Sequence, residues 1–108
     1  MDLKLPSVIQ KYVEASNRHD IDAIVSCFSN DAVVHDEKED HRGSRAIEEW
    51  IRSTIEKYHF QFRPLRAEGD EGQLTVATEV SGTFDGSPIM LDYHFTISGN
   101  RIASLAID

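Results

Sequence analysis

The chain has 108 residues, 11 Lys+Arg against 19 Asp+Glu, and a formal net charge of −8. That length holds one hydrophobic core, read as a single domain over residues 1–108, and the acidic balance speaks against a nucleic-acid partner, which needs clustered Lys and Arg. No apolar run approaches a membrane span, Met1 to Ser7 has no apolar secretion core, and the one cysteine, Cys27, allows no internal disulfide, so no membrane partner is expected and the expected setting is cytoplasmic.

In chain order, the first helical signal opens near Pro6. Ile9, Tyr12, Val13 and Ser16 fall on one face at i, i+3, i+4, i+7, and the helix should stop around Asn17 to His19. Asp20 suits the N-cap of a short second helix with the stripe Ile21, Ile24, Val25, Phe28. Ser29-Asn30-Asp31 reads as a turn, Ala32 to Asp36 as a short strand, and Glu37 to Gly43 as a charged loop. Ser44 is a plausible cap for the longest helix, whose stripe is Ile47, Trp50, Ile51, Thr54, Ile55 and Tyr58.

After Tyr58 the period changes to two. Phe60 and Phe62 alternate with polar neighbours up to Pro64; Leu74, Val76, Thr78 and Val80 then share one strand face. Asp85-Gly86 supplies turn chemistry. In the next strand Ile89, Leu91, Tyr93, Phe95 and Ile97 face one way and Met90, Asp92, His94 and Thr96 the other. Ser98-Gly99-Asn100 turns into a last strand, about 101–107, where Ile102, Leu105 and Ile107 break alternation and predict a bulge. Helices followed by strands indicate an α+β domain, with three helices covering one face of a strongly curved, mainly antiparallel sheet: a cone with an internal cavity.

Within that pattern the stretches Tyr12-Val13-Glu14-Ala15-Ser16-Asn17, Asp20-Ile21-Asp22-Ala23-Ile24, Asp31-Ala32-Val33-Val34-His35-Asp36 and Arg42-Gly43-Ser44-Arg45-Ala46-Ile47 resemble the NTF2-like superfamily, and within it the SnoaL-like branch. The N-terminal half is similar to the ketosteroid isomerases. The resemblance implies a homodimer and a small hydrophobic ligand. It also implies isomerase- or cyclase-type proton transfer, with Tyr12 matching the helix-1 hydrogen-bond donor and Asp36 the proton-moving carboxylate. The late acid of those isomerases is not matched; Tyr93 precedes His94-Phe95 there and can donate a hydrogen bond instead.

Read from the residues themselves, each candidate has a plain alternative. Asp36 either points into the cavity, where burial raises its pKa and suits acid/base work, or caps a helix or meets solvent. Tyr12 and Tyr93 line the pocket as donors or are core aromatics with satisfied hydroxyls. Trp50 contacts a ligand or packs the core. The expected pocket lining is Tyr12, Phe28, Trp50, Ile51, Tyr93 and Phe95, with its mouth near residues 37–43 and His41 placed to meet a ligand. His35, Asp36 and His41 match no compact metal motif, so neither a metal nor another cofactor is expected. Two functions stay open: a proton-transfer enzyme with Asp36 as base, or a non-catalytic ligand-binding or dimerisation module with the same cavity.

Overall fold

A computed structural model describes residues 4–108; of the N-terminal stretch read above, Met1 to Leu3 lie outside the described residues. The elements are α1 (Ser7–Asn17), α2 (Ile21–Ser26), β1 (Phe28–Asp36), β2 (Glu39–Arg42), α3 (Ser44–Tyr58), β3 (Gln61–Gly69), β4 (Gln73–Ser81), β5 (Ile89–Ser98) and β6 (Arg101–Ile107). Three helices pack on one curved, open, six-stranded sheet of order β2-β1-β6-β5-β4-β3. β1 and β6 run parallel and every other neighbouring pair is antiparallel. This is the α+β architecture that the change of period implies.

The helical stripes form the core with the inner sheet face. Ile9, Tyr12, Ala15 and Ser16 of α1, Ile24 of α2, and Ile47, Trp50 and Ile51 of α3 are all buried. They meet Val76, Tyr93, Phe95, Ile102 and Leu105 from the strands. Each fully buried aliphatic side chain there contributes about 1.5–3 kcal/mol from apolar burial alone. Asp20 caps α2 as its sequence position suggests, accepting a 3.2 Å hydrogen bond from the Ala23 amide.

Four local expectations are corrected. Phe28 leaves the α2 stripe and opens β1, because the Cys27 carbonyl accepts from the Ile102 amide and draws the chain into the sheet. Ser29 to Asp31 form no turn between elements; they sit in an irregularity within β1, whose pairing with β6 shifts between Phe28 and Val33. The charged 37–43 segment is a hairpin: Glu37 and Lys38 take positive φ (54° and 66°), and β2 pairs back on β1 from Asp36↔Glu39 to Val33↔Arg42. Ser44 does not cap α3. Gly43 is the N-cap, with φ 88° and its amide on the Ala32 carbonyl.

β3 also runs on past Pro64 to Gly69, with a register shift between Pro64 and Arg66. Proline is tolerated there because β3 is an edge strand. The bulge expected in the last strand is present, with Ala103 as the extra residue between Thr96↔Ser104 and Ile97↔Ile102. Among the described residues no helix is long and apolar enough to cross a membrane.

Candidate functional site

A cavity of about 350 Å3 lies between α3 and the inner sheet face. Helix α3 contributes Trp50, Ile51, Thr54 and Tyr58, four members of one stripe. The end of β1 contributes Asp36, with Glu37 beside it. Phe60, just before β3, and Phe62 within it enter next; Leu91 and Tyr93 stand on the inner face of β5. Ile107, Val80, Phe84 and Ile89 complete the wall, and Asp108 reaches its rim.

The polar groups gather at one end. Trp50 Nε1 donates to Asp36 Oδ2 at 3.0 Å, and the Tyr58 hydroxyl donates to Glu37 Oε1 at 2.6 Å. The Thr54 hydroxyl turns away to the Trp50 carbonyl, 2.8 Å, so it offers its proton to the helix. Burial pushes the Asp36 carboxyl above the ordinary carboxylate value; the Trp50 hydrogen bond opposes this, the Glu37 charge reinforces it, and the Glu37 backbone and His41 oppose it. Tyr93 titrates well above an ordinary phenol, chiefly through burial, with smaller contributions from Tyr12 and Asp36. It is therefore a neutral hydroxyl donor at neutral pH.

The loop after β4 is pinned against the end of α3. The Thr83 amide donates to the Tyr58 carbonyl at 2.8 Å. A Cβ on Gly82 would collide with that same carbonyl, so only glycine allows this approach. Phe84 then packs edge-on against Tyr58, with ring centroids 5.5 Å apart, and closes one side of the cavity.

The residues singled out from sequence divide into three groups. Asp36, Trp50, Ile51 and Tyr93 come together on the cavity wall. Tyr12, Phe28 and Phe95 do not line it; they form an aromatic cluster beneath it, with Tyr12 5.8 Å from Phe28 and 5.6 Å from Phe95 between ring centroids. The reason is depth: α1 lies over the part of the sheet where these rings meet, and Phe62 and Tyr93 stand between them and the open space. Tyr12 Oη and its helical neighbour Ser16 Oγ are sealed there without a hydrogen-bond partner among the described residues. Burial raises the Tyr12 pKa too, while the nearby Ser16 hydroxyl opposes the rise.

His41 is the third case. Its ring lies 6.1 Å from that of Trp50, outside the apolar cavity, in an adjoining cleft of about 240 Å3 with Glu39, Glu49 and Lys57. The two spaces share Asp36, Glu37, Trp50, Thr54 and Tyr58 as a common wall. His35 turns outward to Asp40, 2.6 Å away. Among the described residues, the one group of metal-type ligand atoms within 4.8 Å of each other is Asp92, His94 and Asp108, led by two residues of the outer face of β5. There His94 Nε2 meets Asp108 Oδ1 at 2.9 Å, and His94 Nδ1 meets Thr75 Oγ1 at 2.9 Å.

Sequence reasoning missed Glu37, Tyr58, Phe62, Phe84 and Leu91 as wall residues. Leu91 was readable as an inward partner of Tyr93, and Tyr58 as a member of the α3 stripe. The 82–88 loop gave no such signal, since only its packing on Tyr58 brings Phe84 to the cavity.

The profile of the SnoaL-like domain matches residues 9–105. The chain belongs to the SnoaL-like domain family. This SnoaL-like domain is similar, at 38% identity and a TM-score of 0.93, to a candidate polyketide cyclase of Sinorhizobium meliloti; the match covers 96% of this chain and 95% of that one. It shares its fold with a protein of Catenulispora acidiphila that has a ketosteroid isomerase-like fold and was solved with trimethylamine (16% identity, TM-score 0.85, 97% of this chain and 86% of that one). It also shares it with SalBIII, an epoxide hydrolase/cyclase-like enzyme of pyran ring formation in salinomycin (22% identity, TM-score 0.81, 93% and 85%). The fold of this SnoaL-like domain is thus NTF2-like and ketosteroid isomerase-like.

Proposed function

We propose that this SnoaL-like domain binds a small hydrophobic molecule in the α3–sheet cavity and that Asp36 moves a proton on it, in an isomerase- or cyclase-type reaction. The observation that carries this reading is the position of Asp36: a half-buried carboxyl on a mainly apolar, aromatic wall, oriented by Trp50 Nε1. Such a carboxyl is held nearer the working pH than a solvated one, which favours proton exchange with a carbon acid. Asp36 would take a proton from carbon next to a carbonyl and return it at another position. The Tyr93 hydroxyl, which is on the wall, is the group suited to donate to the developing oxyanion; Tyr12, sealed in the core, is not. The likeness to a candidate polyketide cyclase and to a pyran-forming enzyme supports the cyclase side of the reading.

A second reading is non-catalytic binding by the same cavity, and the shortage of donors favours it: the resemblance implies several, and Tyr12 is out of reach. The test is deuterium exchange at the α-carbons of 2-tetralone in D2O, followed by NMR. Exchange accelerated by the wild type and abolished in Asp36→Asn supports catalysis. Binding of the ketone without acceleration leaves the binding module.

We propose further that two copies pair through the outer faces of β4 and β5. Cross-strand partners Glu79↔Met90, Ala77↔Asp92 and Thr75↔His94 give that face a mixed character, and Met90 is 52% exposed on it. We also propose a cytoplasmic setting, with which the buried free thiol of Cys27 is compatible.

A further inference from the structure

The cavity is apolar, yet its charge is one-sided. Its wall is rich in aromatic rings: Trp50, Tyr58, Phe60, Phe62, Phe84 and Tyr93. Its ionisable carboxylates are Asp36 on the wall and Glu37 at the mouth, while Asp108 at the rim directs its carboxylate to His94. Among the described residues, no Lys, Arg or His lines it. The nearest cationic groups stand across the wall in the outer cleft. Lys57 Nζ lies 5.0 Å from the Tyr58 ring centroid, and the His41 ring lies 6.1 Å from that of Trp50, tilted 33° to it, on the cleft side. That cleft adds Glu39 and Glu49 to the acids near the mouth.

The rings and the carboxylates on the cavity side act on a ligand in the same direction, opposed from the outer cleft by Lys57 and His41. Ring faces carry negative charge density and attract cations, most strongly where water is excluded. Two carboxylates at one end, in a chain of net charge −8, attract a cation and repel an anion. Among the described residues, the side-chain nitrogen donor on the wall is Trp50 Nε1, and Asp36 already engages it.

We infer that the ligand is an organic ammonium ion: a hydrophobic body carrying an alkylated amine, with the positive charge at the mouth against Glu37 and within the field of Asp36, and the body among the rings. This rests on the cavity reading above and adds the charge class of its occupant. Glu37 is suited to the task because its backbone, at φ 54°, and the Tyr58 hydroxyl hold its carboxylate at the mouth. Tyr93, deeper in, is left to the carbonyl that the body of the ligand carries.

Matched probes test it: benzyltrimethylammonium, its uncharged isostere neopentylbenzene, and phenylacetate. Trp50, the single tryptophan of the chain, lies on the wall and reports binding by fluorescence. The cation is expected to bind about ten-fold more tightly than the uncharged isostere. That preference should collapse in the Asp36→Asn/Glu37→Gln double variant, with neopentylbenzene affinity unchanged as proof that the fold and cavity persist. The exposed single change Glu37→Gln should lose part of it. Equal affinity for the cation and its isostere, or tightest binding of phenylacetate, overturns the charge assignment and leaves the cavity reading standing. If no probe perturbs Trp50, the cavity reading itself fails and the inference with it.

Discussion

Trp50 Nε1 donates a 3.0 Å hydrogen bond to Asp36 Oδ2, tying the middle of α3 to the last residue of β1. The bond satisfies the indole N–H of a nearly buried tryptophan and orients a carboxyl on the cavity wall. It also divides the apolar cavity from the acidic outer cleft, since both residues border both spaces. The pair sets the site's shape and its proton affinity together: burial raises the Asp36 pKa, and the indole limits the rise.

This arrangement gives Asp36 a defined effect on stability. Its folded pKa lies above the ordinary value of 3.8, so the folded chain holds this proton more tightly than the unfolded chain. The associated stability is complete below the unfolded pKa, falls as pH climbs to the folded pKa, and is constant above it. Asparagine keeps a carbonyl oxygen for Trp50 and removes the charge. Asp36→Asn should melt at or above the wild-type temperature at pH 7, and the difference should shrink towards pH 3. Paired melts at the two pH values check this; a clear loss of Tm in Asp36→Asn at pH 7 would show a structural carboxylate.

Gly82→Ala probes the cavity from the opposite side. The added methyl meets the Tyr58 carbonyl and crowds the Phe84 ring, whose nearest carbon is 3.1 Å away. The carbonyl belongs to the last turn of α3 and cannot yield easily, so the loop must move. A destabilisation of about 1–3 kcal/mol is expected, together with weaker binding of apolar probes as Phe84 leaves the wall. Unchanged denaturant midpoint and probe affinity would mean that the loop does not shape the cavity.

Much of this was legible in the sequence, for reasons that residues make plain. Ile47, Trp50 and Ile51 recur at helical spacing, and Val76, Tyr93 and Phe95 at strand spacing, so the core faces announce themselves by period. Asp36 and Trp50 were each visible as candidates; their bond was not, since it joins residues whose meeting depends on how α3 crosses β1. The hairpin at Glu37-Lys38 was hidden because charged residues on an exposed edge strand look like loop. Ser29 to Asp31 carry real turn chemistry, but in the sheet it produces a strand irregularity. Tyr12 lay on the correct stripe of α1, yet a stripe tells which face is buried and not what it is buried against.

Pairing through β4 and β5 predicts a specific failure. Met90 stands opposite Glu79 on the outer face, two pairs along from Thr75 and His94. A lysine at 90 would carry its charge into the middle of a two-fold contact, where it would also meet its own copy. Wild type should elute as a dimer at micromolar concentration, and Met90→Lys should shift it towards the 12.2 kDa monomer. Light scattering that gives a monomeric wild type overturns the pairing; a dimer untouched by Met90→Lys places the contact on another face.

Tyr12→Phe separates the resemblance from the geometry most cleanly. The isomerase likeness assigns the Tyr12 hydroxyl a hydrogen bond to substrate; the structure seals it in the core with no partner among the described residues. With the Ser16 hydroxyl beside it in place of water, this buried group gains little from the fold, so its removal should change stability by no more than about 1 kcal/mol. The ring contacts with Phe28, Phe62 and Phe95 are preserved in phenylalanine, so no cavity opens. Probe binding, and any proton exchange by Asp36, should match the wild type, whereas Tyr93→Phe should lose the exchange and keep the fold. Chemical denaturation and the 2-tetralone assay on both variants decide the matter. A fall in exchange for Tyr12→Phe, with its stability intact, would mean that the hydroxyl reaches the ligand after all and that the donor assigned to Tyr93 belongs at Tyr12.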